Sequence, residues 1–132
     1  MELFDTAGVE EWGHNYQEQY MRGAHGFIFL FSLTSRASFE HSSGDRDRGL
    51  RIKDVDVIPH VLVGNKLDLE GKRQVMRGEG QEMADNWGCP YFEVSAKTRE
   101  NVVESIEAAV REVIKIVGLP KYKRKKGGCS LL

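Results

Sequence analysis

Gly26-Phe27-Ile28-Phe29-Leu30-Phe31-Ser32-Leu33 is an apolar run that does not alternate between two sides. A strand with water on one face alternates apolar and polar residues. A strand covered on both faces has no need to, and such strands occur in parallel sheets sandwiched between helices. Residues 57–63, Val57-Ile58-Pro59-His60-Val61-Leu62-Val63, repeat the pattern, with Pro59 near the start where a missing donor is tolerated. Residues 91–94 predict a shorter third strand, and residues 2–4 a marginal one.

Helical stretches fall between these runs. Residues 15–22 are compatible with a helix, as are residues 80–87, where Gly88 is placed to end the helix in a left-handed conformation. The best supported helix is the last. Val102, Val103, Ile106, Ala109, Val110, Val113, Ile114 and Val117 recur at three- and four-residue intervals. Asn101 is placed to cap it with Glu104 completing a box, and Gly118 and Pro120 stop it. Alternating strands and helices specify an α/β fold with a parallel sheet. Residues 38–54 are the weak element. The crossover pattern asks for a helix there, but residues 41–49 carry two glycines and no apolar stripe.

The chain has 132 residues, enough for one domain, with 40% hydrophobic and 30% charged residues. No apolar run approaches a membrane span, and the first residues lack the features of a signal peptide. Two cysteines do not make a disulfide framework. The net charge of −1 conceals an asymmetry. Lys121, Lys123, Arg124, Lys125 and Lys126 crowd the tail, leaving 14 basic against 20 acidic residues elsewhere. A body of about −6 has no basic face for nucleic acid, so the tail alone is suited to an anionic surface.

Three short motifs follow three of the predicted strands, where parallel sheets bind ligands. Asn65-Lys66-Leu67-Asp68 comes after the second apolar run. A carboxylate such as Asp68 presents two acceptors that match the adjacent N1–H and N2–H₂ donors of guanine, a pair adenine lacks. A polar turn is the plainer reading. Ser95-Ala96-Lys97 follows residues 91–94, and a small residue there lets a backbone N–H approach a ring carbonyl. Alone it is an ordinary loop. Asp5-Thr6-Ala7-Gly8 follows residues 2–4, where Asp5 could hold Mg²⁺ through water and the Gly8 N–H could close on a phosphate. A tight turn explains these residues equally well.

Taken together and in this order, the three motifs resemble the second half of the motif set of Ras-type small GTPases. Gln19-Tyr20-Met21-Arg22, Ser38-Phe39-Glu40 and Val61-Leu62-Val63-Gly64 also resemble Ras and Rap proteins. The resemblance implies the P-loop NTPase-like small GTPase fold over residues 1–118, incomplete because its first strands and phosphate-binding loop are absent, followed by a basic tail over residues 119–132. It implies GTP or GDP with Mg²⁺ as ligands. Asp68 would read the base, Asn65 support it, Lys66 and Lys97 flank the ring, Ala96 donate to O6, and Ser95 hold the loop against Asp68. Asp5 and Gly8 would sense Mg²⁺ and the γ-phosphate. Effectors, exchange factors and GTPase-activating proteins would be the partners.

The chain departs from that pattern in three places. It contains no Gly-x-x-x-x-Gly-Lys-Ser/Thr, the loop whose backbone cradles the phosphates. The strand leading to that loop would lie between residues 2–4 and 26–33, so both would be left with unpaired edges, and residues 1–132 alone are expected to be unstable or aggregation-prone. Val9 stands where the family has a water-orienting glutamine, which predicts slow hydrolysis and no catalytic side chain in this chain. Residues 41–49 replace a helix segment with apolar inward residues, and Ser42 and Asp45 fall where two of these are expected.

Cys129-Ser130-Leu131-Leu132 fits the C-a-a-X prenylation pattern, its final leucine favouring geranylgeranyl. The basic run supplies the second signal that stable anchoring needs. The expected location is the cytoplasmic face of the plasma membrane or of another endomembrane. Two readings of other classes stay open: a prenylated interaction module that binds no nucleotide, and a fragment without function.

Overall fold

The computed structural model describes residues 1–6 and 14–119. Three strands, β1 (Phe27–Ser32), β2 (His60–Asn65) and β3 (Tyr91–Glu93), form one parallel sheet in the order β1-β2-β3. Helix α1 (His14–Gly23) precedes β1, and α2 (Arg36–Lys53) crosses from β1 to β2. A short 3₁₀ helix, Leu67–Lys72, and α3 (Arg77–Trp87) cross from β2 to β3, and α4 (Val102–Val117) closes the order. Phe27 pairs with His60 and Ser32 with Asn65, while Gly64 pairs with Glu93. This register brings the C-terminal ends of all three strands to one end of the sheet.

The non-alternating runs have the expected cause. The first five residues of β2 are all buried, because the sheet has a core on each face. Phe29, Phe31 and Leu62 pack with Phe39 of α2 and Ala84 of α3, and Cys89 and Tyr91 join them. Val61 and Val63 pack on the other face with Val94 and with Ala108 of α4. Burial raises the Cys89 thiol to about 11. Gly80 allows α3 to lie against the Tyr91 ring, since a Cβ there would sit 2.2 Å from Cζ. Gly88 ends α3 with φ +70°, as its position in the sequence predicts.

Four local expectations are corrected. Residues 2–4 form no strand. They are exposed, and Phe4 instead meets the Tyr20 ring of α1 at 5.1 Å. A three-residue segment with no adjacent strand has nothing to satisfy its backbone. The poor helix over residues 38–54 is a full helix of 18 residues. Ser35 caps it by accepting the Ser38 N–H, Asp54 closes it in a left-handed conformation, and Phe39 seats it on the core.

Within α2, Ser42 is buried as expected, its hydroxyl donating to the Ser38 carbonyl, but Asp45 is exposed. Arg46 turns inward in its place, its guanidinium 5.3 Å from the Trp87 ring centre. A long aliphatic stem and a cation over an aromatic ring do the work of an apolar residue there. Finally, the capping box expected from Asn101 and Glu104 does not form. Asn101 sits at φ 58° and its amide donates to the Glu93 carbonyl instead.

Candidate functional site

Asn65 is the last residue of β2, and Val94 and Ser95 follow directly on β3, so the sheet register alone brings the two loops side by side. Hydrogen bonds then join them at three points. The Leu67 N–H donates to the Val94 carbonyl at 3.0 Å. The Ser95 hydroxyl donates to Asp68 Oδ1 at 2.8 Å. The Ala96 N–H donates to Asn65 Oδ1 at 3.1 Å. Ser95 is fully buried and also accepts the Thr98 N–H, which fixes the turn that follows it. Asp68, Lys66, Ala96 and Lys97 are exposed around it. The structure therefore brings together all six residues singled out from the two motifs, with Asp68 held by one oxygen at the rim.

The backbone here is held in an uncommon shape. Four non-glycine residues among those described have positive φ, and three of them belong to these loops: Lys66 at 67°, Arg99 at 69° and Asn101 at 58°. Left-handed geometry costs a residue with a Cβ on the order of 1–3 kcal/mol and persists only where its surroundings fix it. The hydrogen bonds above supply part of that restraint, along with the Ser95 N–H, which donates to the Glu100 carbonyl at 3.1 Å.

A second layer lies behind the loops and was not anticipated from the sequence. Glu93, only 3% exposed, receives both terminal nitrogens of Arg73 at 2.7 and 2.9 Å and the Tyr91 hydroxyl at 2.9 Å. Arg73 also donates to the Val75 carbonyl and to Glu70. Burial by itself would raise the Glu93 carboxyl, but the Arg73 and Tyr91 hydrogen bonds outweigh it and hold Glu93 below the usual carboxylate range. The Tyr91 hydroxyl is pushed up by burial and by the carboxylate it faces. A lone acid in a short apolar strand is the signal that could have found this cluster.

Asp5 lies in the exposed segment 1–6, and Gly8, Val9 and Cys129 fall outside the described residues. Among the described residues no three metal-ligating side chains gather, and no helix is long and apolar enough to cross a membrane.

Comparison with known proteins agrees with the geometry. The sequence model of the Ras family matches residues 1–115. The chain is 44% identical over 130 residues to the Ras-like protein rasB of Dictyostelium discoideum. That match covers 97% of this chain but 66% of the relative, so the chain spans just under two thirds of its relative's length. With its parallel sheet, its paired strand-end loops and a family match over most of its length, the chain belongs to the Ras family of small GTPases.

Proposed function

We propose that this chain supplies the base-reading part and the membrane-targeting tail of a Ras-like guanine-nucleotide switch. One observation carries the reading: the Asn65–Asp68 and Ser95–Lys97 loops, far apart in sequence, are locked together by the Ser95–Asp68 and Ala96–Asn65 hydrogen bonds. In this reading Asp68 accepts the N1–H and N2–H₂ groups of guanine, and Ser95 fixes its carboxylate in the required plane. Lys66 and Lys97 lie across the two faces of the ring. The Ala96 N–H already serves Asn65, so it reaches O6 as a shared donor.

The donor set fits the base of GTP or GDP. It does not extend to the metal. Asp5 lies in the exposed segment 1–6 and Gly8 outside the described residues, so the Mg²⁺ and phosphate roles of both rest on family membership alone. Val9, whose side chain has neither donor nor acceptor, would be unable to orient an attacking water, so hydrolysis would be slow. Single-turnover hydrolysis by a form carrying a phosphate-binding loop, compared with its Val9→Gln variant, checks this, equal rates refuting it. Prenylation at Cys129 and the basic tail would hold the protein at an anionic cytoplasmic membrane face, where effectors, exchange factors and GTPase-activating proteins of the Ras type would meet it.

Base recognition is tested by Asp68→Asn. An amide offers one donor and one acceptor, which complements xanthine rather than guanine. Charge-assisted hydrogen bonds contribute about 1.5–3 kcal/mol each, so guanine-nucleotide affinity is expected to fall roughly 100-fold while xanthine-nucleotide affinity rises. Unchanged preference in competition binding would remove Asp68 from the site.

A further inference from the structure

We infer that the Arg73–Glu93–Tyr91 cluster is a positioning device that keeps the two base-reading loops in register and thereby sets how long a guanine nucleotide stays bound. The second half of that statement rests on the function proposed above, whereas the first stands on geometry alone.

Arg73 follows Asp68 by five residues, and Glu93 precedes Ser95 by two. The ion pair between them therefore ties the outgoing end of one loop to the incoming end of the other. Its form is directional. A bidentate fork between guanidinium and carboxylate fixes orientation as well as distance. Arg73 Nε holds Glu70 in the 3₁₀ helix at 2.9 Å, while Nη1 holds the Val75 carbonyl at 3.0 Å, so one side chain gathers three segments. Glu93 has further partners. Its carboxylate takes the Tyr91 hydroxyl, and its carbonyl takes the Asn101 amide, which anchors the far end of the Ser95 turn at one of the left-handed residues.

Stability alone is a weak reason for such an arrangement. Desolvation of a buried ion pair offsets much of its attraction, and well-packed apolar replacements are often as stable. What apolar side chains cannot supply is a fixed angle between two loops that carry left-handed residues. The described residues provide an internal control. Arg36 and Glu79 form a fork of the same kind, at 2.6 and 3.0 Å, but join α2 to α3 with both side chains substantially exposed.

The test uses protein isolated from cells, in Arg73→Lys, Glu93→Gln, Tyr91→Phe and Arg36→Ala forms. Amide hydrogen exchange is read at Leu67, Ser95 and Ala96, with Leu62 in the centre of the sheet as reference, and GDP release is timed. Arg73→Lys keeps the charge but loses the fork. It and Glu93→Gln are expected to raise exchange at the three loop amides at least ten-fold while Leu62 is unchanged, and to accelerate GDP release by a similar factor. Tyr91→Phe should do the same more weakly, and Arg36→Ala should do neither. Loop amides that exchange as in the unsubstituted protein would overturn the inference. So would a rise shared equally by Leu62, which would make the cluster a general stabiliser. If the loops loosen but GDP release does not change, the link to residence time is overturned. Failure of the guanine reading itself shows separately, in an Asp68→Asn form with unaltered base preference.

Discussion

The two ends of the strand order β1-β2-β3 are built on opposite principles. At β2 and β3, every turn that leaves the sheet is tied to its neighbour, first by the Ser95–Asp68 and Ala96–Asn65 hydrogen bonds and again by the buried Arg73–Glu93 fork. At β1, no further strand pairs with the free edge among the described residues. Leu30, on the α4 side, is 60% exposed, and Phe27–Ser32 carries no charge and no proline to blunt that edge. Val103, Val110, Ile114 and Val117 of α4 are exposed as well. Order at a candidate ligand site thus coexists with an edge that invites another backbone, and a Ras-type domain needs both regions satisfied to fold stably.

The largest effect should come from the open side. Residues 1–132 expressed alone are expected to aggregate or to melt without a cooperative transition, and Leu30→Lys should slow aggregation by placing a charge on the edge strand. A sharp, reversible thermal transition of the unaltered chain would break the comparison. Next in size is Gly80→Val. Its side chain would be driven into the Tyr91 ring, costing about 1–3 kcal/mol through forced shifts and disturbing the Tyr91–Glu93 bond, measurable by denaturant unfolding of the nucleotide-bound protein.

Ser95→Ala removes the hydroxyl that serves both Asp68 and the Thr98 N–H. At about 1 kcal/mol for each hydrogen bond, GDP binding should weaken roughly five- to thirty-fold, read by titration, with little change in the melting of β1. The smallest effect is the one on pH. Glu93 and Glu79 are both held low, Glu79 at about 2 by its Arg36 and Met76 hydrogen bonds. A carboxyl depressed in the folded state contributes stability that is fully present above the unfolded carboxylate range of about 4.3 and is lost as pH falls through its folded value. Stability should therefore decline below about pH 4, and less steeply in Glu93→Gln. Equal slopes would place the acid-sensitive group elsewhere.

How much of this was legible in the sequence depended on the distance over which each cause acts. The parallel sheet followed from residues 26–33 and 57–63, because burial on both faces removes alternation strand by strand. The side-by-side placement of the Asn65–Asp68 and Ser95–Lys97 loops followed from two short motifs, each at the end of a strand. Helix α2 was misjudged because its support is not an apolar stripe. Its own cap at Ser35, a buried small residue at Ser42 and an arginine laid over Trp87 hold it, and the last of these depends on a residue 41 positions away. The Arg73–Glu93 pair was missed for a related reason: Glu93 is a lone acid in a short strand, but nothing marks Arg73, 20 positions away, as its partner until the fold brings them together. Asn101 looked like a helix cap because its chain position is right, but its amide is taken by the carbonyl of Glu93.

The buried Cys89 gives the molecule a clock. Burial pushes its thiol up to about 11, which disfavours the reactive thiolate at neutral pH, and it is only 9% exposed just past the end of α3. An alkylating reagent must wait for that corner to open, and each opening it catches leaves a permanent mass tag. Counting tags after timed pulses would show how often the ground beneath β3 gives way.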